Sequence, residues 1–381
     1  MKVAERGRID PFIVMEVMRA AGAREAAGGD VLHLEVGQPS TPAPAKVREA
    51  AIAALNADKL GYTEAQGIRP LREALAKYYR GTYGVSIDPD RFILTVGSSG
   101  AFLLGFLAAF DAGARVALAS PGYPAYRNIL KALDIEVVEI LAGPETGYQP
   151  TPEQLEAAGP LDGVIVASPA NPTGTILSEA HMRALALWCQ RNKVRLISDE
   201  IYHGLTYGAR ATSALEITDD ALIVNSFSKY FSMTGWRLGW MVMPKDLIRP
   251  VECLAQNMVI SAPTLAQHAA VAAFDCIEEL EANRLAYARN REILLNELPS
   301  AGFREMAPAD GAFYLYAKTD HLSPDSEALC KELLEKTGIA ITPGIDFDPS
   351  RGRSFVRFSF AGSEATMIEA SRRLKVWAQA R

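Results

Sequence analysis

Six short apolar runs alternate with amphipathic helical stretches through the middle of this chain, and no other feature restricts the fold as much. The runs are FILTV (92–96), RVALAS (115–120), GVIVAS (163–168), VRLIS (194–198), ALIVNS (221–226) and LGWMVM (238–243). Each is close to continuously apolar, the pattern of strands buried on both faces. Between them lie helix candidates such as AFLLGFLAAF, YRNILKALD and EAHMRALALWCQRN. Strand and helix in turn predict an α/β fold with a mostly parallel sheet sandwiched by helices.

The character changes near residue 246, where long helices take over, LEANRLAYARNREILLNEL being the strongest. After Gly302, the runs AFYLYA, IAITP and FVRFSF surround the helix candidate DSEALCKELLEKTG and predict a smaller α+β domain. The segment before Pro42 has little strand rhythm and is expected to pack on that domain or cross to a partner chain. The expected division is an N-terminal arm with part of the small domain (1–44), a large domain (45–280) and a small C-terminal domain (281–381). A length of 381 residues suits one large domain plus a smaller one.

Composition excludes several classes. With 49% hydrophobic and 22% charged residues the chain packs rather than staying disordered. A net charge of −6 without a long Lys/Arg run argues against a nucleic-acid partner. The longest apolar runs are too short to span a bilayer, so no membrane partner is expected. The start, MKVAERGRIDPF, shows no apolar core of a secretory signal. Cys189, Cys253, Cys276 and Cys330 are widely spaced, form no C-x-x-C pair, and read as reduced thiols of a cytoplasmic protein. The five histidines show no metal-ligand spacing.

In an open parallel sheet, ligands bind beyond the carboxyl ends of the strands. After FILTV comes Gly97-Ser98-Ser99-Gly100, opening a helix; after RVALAS comes Pro121-Gly122-Tyr123-Pro124. After GVIVAS comes Asn171-Pro172-Thr173-Gly174, after VRLIS comes Asp199-Glu200-Ile201-Tyr202, and ALIVN runs into Ser226-Phe227-Ser228-Lys229. Singly, each has a plain explanation: a helix start, a packed aromatic, a turn, a capping carboxylate, a solvated lysine. Together they offer an anion cradle, an aromatic platform, an amide, a carboxylate with a phenol, and an amine. Asp199 ends a doubly buried run and therefore needs a cationic or hydrogen-bonding partner. Glu200 points to the opposite side of the strand, so the two carboxylates are not a dyad. This set suits pyridoxal 5'-phosphate, which needs a lysine for its aldehyde, an acid for its ring nitrogen and a phosphate cup completed here by Ser226 and Arg237.

These residues resemble the fold-type I pyridoxal-phosphate aminotransferases of class I/II, on the aspartate-aminotransferase pattern. The likeness runs from Val36-Gly37-Gln38-Pro39 to Arg357, and rests most on Asn171-Pro172-Thr173-Gly174, Asp199-Glu200-Ile201-Tyr202 and Ser226-Phe227-Ser228-Lys229 with Arg237 eight residues on. The resemblance implies that Lys229 forms the Schiff base and carries the proton of the substrate Cα. It implies that Asp199 pairs with the pyridine nitrogen, that Tyr202 and Asn171 meet the ring hydroxyl, and that Tyr123 stacks on the ring. Ser98, Ser99, Gly100, Ser226 and Arg237 are the implied phosphate cup. Tyr62 is implied to reach a neighbouring subunit's phosphate, hence a homodimer with shared active sites. Arg357, with Gly37 and Asn171 beside it, is the implied clamp for the α-carboxylate of the amino acid and 2-oxo acid substrates.

Two features depart from the family pattern. Asp348 follows Pro343-Gly344-Ile345-Asp346-Phe347 where the family often has glycine, and no second arginine for a side-chain carboxylate is evident. With the apolar segment Pro11–Met15, this favours neutral or apolar amino acids over aspartate. A C–S β-lyase, a racemase or a decarboxylase of the same fold would share the cofactor residues. A distant alternative is a serine acyl-enzyme, because Ser226–Lys229 reads S-x-x-K and Lys336-Thr337-Gly338 reads K-T-G. That motif needs a strand, whereas here K-T-G is expected to close a helix at Gly338. A regulator's effector-binding module is disfavoured by the lack of room for a DNA-binding domain or a basic patch.

Overall fold

The computed structural model describes residues 1–57 and 59–381. Its strands in chain order are β1 (Leu32–His33), β2 (Phe92–Thr95), β3 (Arg115–Ser120), β4 (Glu136–Leu141), β5 (Gly163–Ala167), β6 (Arg195–Asp199), β7 (Leu222–Ser226), β8 (Gly239–Val242), β9 (Tyr314–Lys318), β10 (Ile339–Ala340), β11 (Thr342–Pro343) and β12 (Phe355–Ser359). The helices used below are α1 (Ile13–Ala26), α2 (Ala45–Ala57), α3 (Arg69–Tyr83), α4 (Gly97–Ala109), α5 (Pro124–Ala132), α6 (Pro152–Ala157), α7 (Glu179–Asn192), α8 (Ile248–Met258), α9 (Thr264–Val271), α10 (Ile277–Glu297), α11 (Ser326–Thr337) and α12 (Glu364–Gln379).

The six apolar runs all become strands of one sheet in the order β2-β8-β7-β6-β5-β3-β4. Only β8 runs against the rest; it pairs antiparallel with both β2 and β7. Both faces are covered, which is why the runs carry no polar alternation. Ile93, Leu118, Ile165, Ile197, Val224 and Met241 pack on one face with Phe102 and Phe106 of α4. Leu94, Ala117, Val164, Leu196, Ile223 and Val242 pack on the other with Leu75 and Tyr79 of α3 and Leu185 of α7. Each Val, Leu, Ile, Met or Phe side chain among them contributes about 1.5–3 kcal/mol when fully buried. Trp240 is fully buried and satisfies its indole by donating to Tyr79 Oη at 3.2 Å.

Strand β4 is not among the apolar runs. It lies at the sheet edge, and Glu136, Glu139 and Leu141 face partly outward, so its sequence lacks a buried signature. The three runs near the C-terminus form β9, β10 with β11, and β12, but IAITP is split between two sheets. β11 and β9 flank β12 antiparallel, whereas β10 pairs parallel with β1, Leu32 opposite Ile339. The N-terminal segment thus joins the C-terminal sheets, and Ser359 N donates to Leu34 O at 2.7 Å. Helix α11 is capped by Asp325 and ends at Gly338 in the left-handed conformation (φ +71°). The K-T-G triplet therefore terminates a helix, which removes the strand setting an acyl-enzyme would need. No described helix is long and apolar enough to cross a membrane.

Candidate active site

The carboxyl ends of β2, β3, β5, β6 and β7 open onto a cleft of about 490 Å³. Lys229 follows β7 and is half-buried; its Nζ donates to Gly37 O at 2.5 Å. Asp199, the last residue of β6, is 4% exposed and receives hydrogen bonds from Tyr126 Oη and from Ile201 N at 3.0 Å. Glu200 turns away from the cleft and is held by Ser213 Oγ and Ala214 N. His203 is buried against Tyr83 Oη at 2.8 Å and does not line the cleft.

Burial disfavours charge on both central groups. It pushes the Asp199 carboxyl up to about 6, against the pull of Tyr126, the Ile201 amide and the Lys229 charge. It brings the Lys229 amine down to about 8, helped by the charges of Arg357 and Arg237 and opposed by Asp199. An amine lowered to about 8 has a far larger neutral fraction near physiological pH than an ordinary lysine, and that fraction can act as nucleophile or base.

One end of the cleft gathers a helix N-terminus, hydroxyls and a guanidinium. Helix α4 starts at Gly97 (φ +66°), and Ser98 and Ser99 follow at its first turn. A Cβ on Gly97 would lie 2.5 Å from Arg237 Nη2, so glycine lets the guanidinium approach the helix N-terminus. Ser226 Oγ donates to Leu238 O at 3.0 Å and lies 2.8 Å from Ser228 Oγ, inside the turn. The hydroxyl that lines the cleft belongs to Ser228.

The opposite wall comes from outside the central sheet. Arg357 of β12 is 2% exposed, with its guanidinium 4.3 Å from the Tyr314 ring and 4.7 Å from the Phe347 ring. Its Nη1 donates to Asn171 Oδ1 at 2.9 Å, and its Nη2 donates to Glu35 O. Among the described residues its buried Nε has no hydrogen-bond partner. Tyr202 Oη lies 2.7 Å from Tyr314 Oη. A Cβ on Gly37 would fall 1.6 Å from that Tyr314 oxygen, so the Val36-Gly37-Gln38 segment passes only as glycine. Phe12, Val14, Met15 and Val36 supply apolar lining, and Phe12 meets Tyr123 edge-on at 5.8 Å.

All of the residues singled out in the sequence therefore line one cleft except Tyr62, Gly100 and Ser226. Gly100 sits in the first turn of α4, and Tyr62 is 84% exposed on a loop. Sequence reasoning did not find Tyr126, Ser228 or Tyr314. Tyr126 had a usable signal, three residues after Tyr123 and so on the same side of α5. Tyr314 had none, because it lies within an ordinary apolar strand. A second cleft of about 710 Å³ lies at the other end of the sheet, against Asp162, Lys193, Arg195 and Asp246. Arg195 is paired there with Asp246, and none of the strand-end groups reaches it.

The chain is similar to known proteins over nearly its whole length. A sequence model of the family described as Aminotransferase class I and II matches residues 29–374. The chain is 53% identical to valine–pyruvate aminotransferase of Mycobacterium tuberculosis, over 99% of this chain and 98% of that protein. It is 35% identical to aspartate/prephenate aminotransferase of Thermus thermophilus, over 91% and 90% of the two. A crystal structure of an aminotransferase from Mycobacterium tuberculosis matches with a TM-score of 0.98 at 51% identity, with 100% of both chains covered. Aspartate aminotransferase from Thermus thermophilus with maleate matches with a TM-score of 0.94 at 33% identity, over 99% of each chain.

Proposed function

This chain belongs to the class I and II aminotransferases, and on that premise we propose that it holds pyridoxal 5'-phosphate on Lys229 and transfers amino groups from a neutral aliphatic L-amino acid, valine foremost, to pyruvate. One observation carries the reading. The Lys229 amine, its affinity for a proton lowered by burial, shares a cleft with the buried Asp199 carboxylate and with two separate guanidinium groups, Arg237 and Arg357.

The residues present fit the cofactor. The space beside Gly97, which a Cβ would fill, is bounded by Arg237 and by the first amides of α4, a setting for a phosphate dianion. Ser98, Ser99 and Ser228 add hydroxyls, with Ser226 bracing Ser228. Tyr123 would face the ring, Asn171 and Tyr202 its hydroxyl. The cofactor, when bound, supplies an aldehyde carbon and an electron-accepting ring.

The chain's own groups then do the following. Asp199 would hold the proton on the ring nitrogen, and the hydrogen bond from Tyr126 favours the ionised form of Asp199. Arg357 binds the substrate α-carboxylate, its direction set by Asn171 and its charge sheltered from water by Tyr314 and Phe347. Lys229 Nζ removes the proton from the substrate Cα and returns a proton during amino transfer. Among the described residues the lining cations are Lys229, Arg237 and Arg357, each committed by this assignment. None is left for a second carboxylate, and the apolar lining favours an uncharged side chain. The 53% identical relative is named for valine and pyruvate, which supports the same choice.

The reading also implies a division near residues 45 and 280, with the cleft at the junction of a large and a small domain. It further implies a cytoplasmic homodimer, supported by the exposure of Tyr62 and by four free cysteines. The test is to supply the cofactor-loaded protein with valine and pyruvate, follow alanine formation, then reduce with borohydride and map the labelled peptide. Alanine formation and a label on Lys229 are expected. Ammonia release without a 2-oxo acid acceptor would overturn the transfer reaction, and a label on another lysine would overturn the assignment of Lys229.

A further inference from the structure

We propose that Asp346 is a specificity-positioning residue: it holds the first turn of α1 against the cleft and thereby sets the space for the substrate side chain. This rests on the reading of the cleft given above. The first amides of a helix have no partner within the helix. Phe12, at the N-cap of α1, has no side-chain oxygen to meet them. Asp346 does so from the far end of the chain. Its Oδ1 accepts from Ile13 N and its Oδ2 from Val14 N, both at 3.2 Å. The carboxylate is 2% exposed, and a negative charge at that end is also attracted by the positive end of the helix dipole.

The loop carrying Asp346 is itself tied to the central sheet. Asp346 O accepts from Arg127 Nη2 at 3.1 Å, and Phe347 O accepts from Gly122 N at 3.0 Å. Arg351 is held by Asp348 and donates to Ala142 O at 3.0 Å. These contacts anchor the loop next to the turn that carries Tyr123. The side chains that α1 and its N-cap present to the cleft, Phe12, Val14 and Met15, belong to the turn whose amides Asp346 holds. Loss of the cap therefore loosens the apolar wall while the strand-end groups keep their own supports. A branched side chain asks more of that wall than a methyl group does, and a carboxylate behind it disfavours an acidic side chain.

The experiment compares cofactor-loaded wild type, D346A and D346N. It reads the ratio of kcat/KM for valine to that for alanine, together with amide hydrogen exchange over residues 12–18. D346A should lower the ratio about tenfold and speed exchange at the start of α1. D346N keeps one acceptor oxygen and should lower the ratio by about threefold. Faster exchange with an unchanged ratio overturns the proposal, since the cap is then only structural; unchanged exchange overturns the hold on α1. If D346A does not fold, D346N carries the test and an unchanged ratio overturns it. A wild type that turns over neither donor refutes the neutral aliphatic donor reading instead, and the exchange data still decide the cap.

Discussion

Asp199 and Lys229 reach the cleft from neighbouring strands of one sheet, only 30 residues apart in the chain. Arg357 reaches the same cleft from another sheet, and its partners Glu35, Asn171 and Thr342 come from three other segments. The first wall stands on apolar packing: Ile197 and Val224, beside the two functional ends, are completely buried. The second stands on hydrogen bonds to one backbone carbonyl and two side-chain oxygens, and on aromatic faces. A change on the first wall should strike the chemistry, and a change on the second should strike binding and selectivity.

The largest effect is expected at Lys229. Lys229→Ala should fold, bind cofactor without attachment and lose at least about 10⁴-fold in turnover, measured in single-turnover assays. Turnover within tenfold of wild type would erase the distinction between the walls. Next comes the cost of the buried amine in the cofactor-free protein. Its folded pKa, about 8, lies below the ordinary lysine value of 10.5, so the unfolded chain binds more protons between these pH values. Stability of the wild type relative to Lys229→Met should therefore rise as pH goes from 8 to 10.5, by roughly 3 kcal/mol in total. Urea midpoints across that range check it, and parallel curves would break the claim of a desolvated amine.

On the second wall, Arg357→Lys should raise KM for the amino acid by about 10–100-fold with a smaller change in kcat, because a bidentate charge-assisted pair is lost. A fall in kcat alone would move Arg357 to the chemical wall. The smallest effect is expected at Tyr126, whose hydroxyl steadies the ionised Asp199. Tyr126→Phe should push Asp199 above its present value of about 6 and shift the acid limb of kcat/KM to higher pH. The loss near pH 6 should be up to about tenfold. An unmoved acid limb would separate Tyr126 from the function of Asp199.

The same contrast governs what could be read in advance. The doubly buried strands were legible because Val, Ile and Leu run without interruption, and the strand-end groups followed from where ligands bind in parallel sheets. The edge strand β4 was hidden by its glutamates and the two-residue β1 by its brevity. Ser226 is expected to complete the phosphate cup with Arg237, yet Ser228, two residues on, lines the cleft, because Ser226 Oγ closes the turn with Leu238. Tyr314 and Asp346 gave no local sign, since their importance lies in the residues they meet.

Periodicity alone determined an α/β sheet and its mostly parallel polarity, and the strand ends set a lysine, a carboxylate and a glycine–serine turn along its edge, because these depend on neighbours close in the chain. The tertiary structure alone decided which tyrosine serves Asp199, how Arg357 is wedged between two rings, and which carboxylate caps the first helix. Those contacts join segments up to 333 residues apart, as from Ile13 to Asp346. They exist only once burial has forced separate polar groups to find partners away from water.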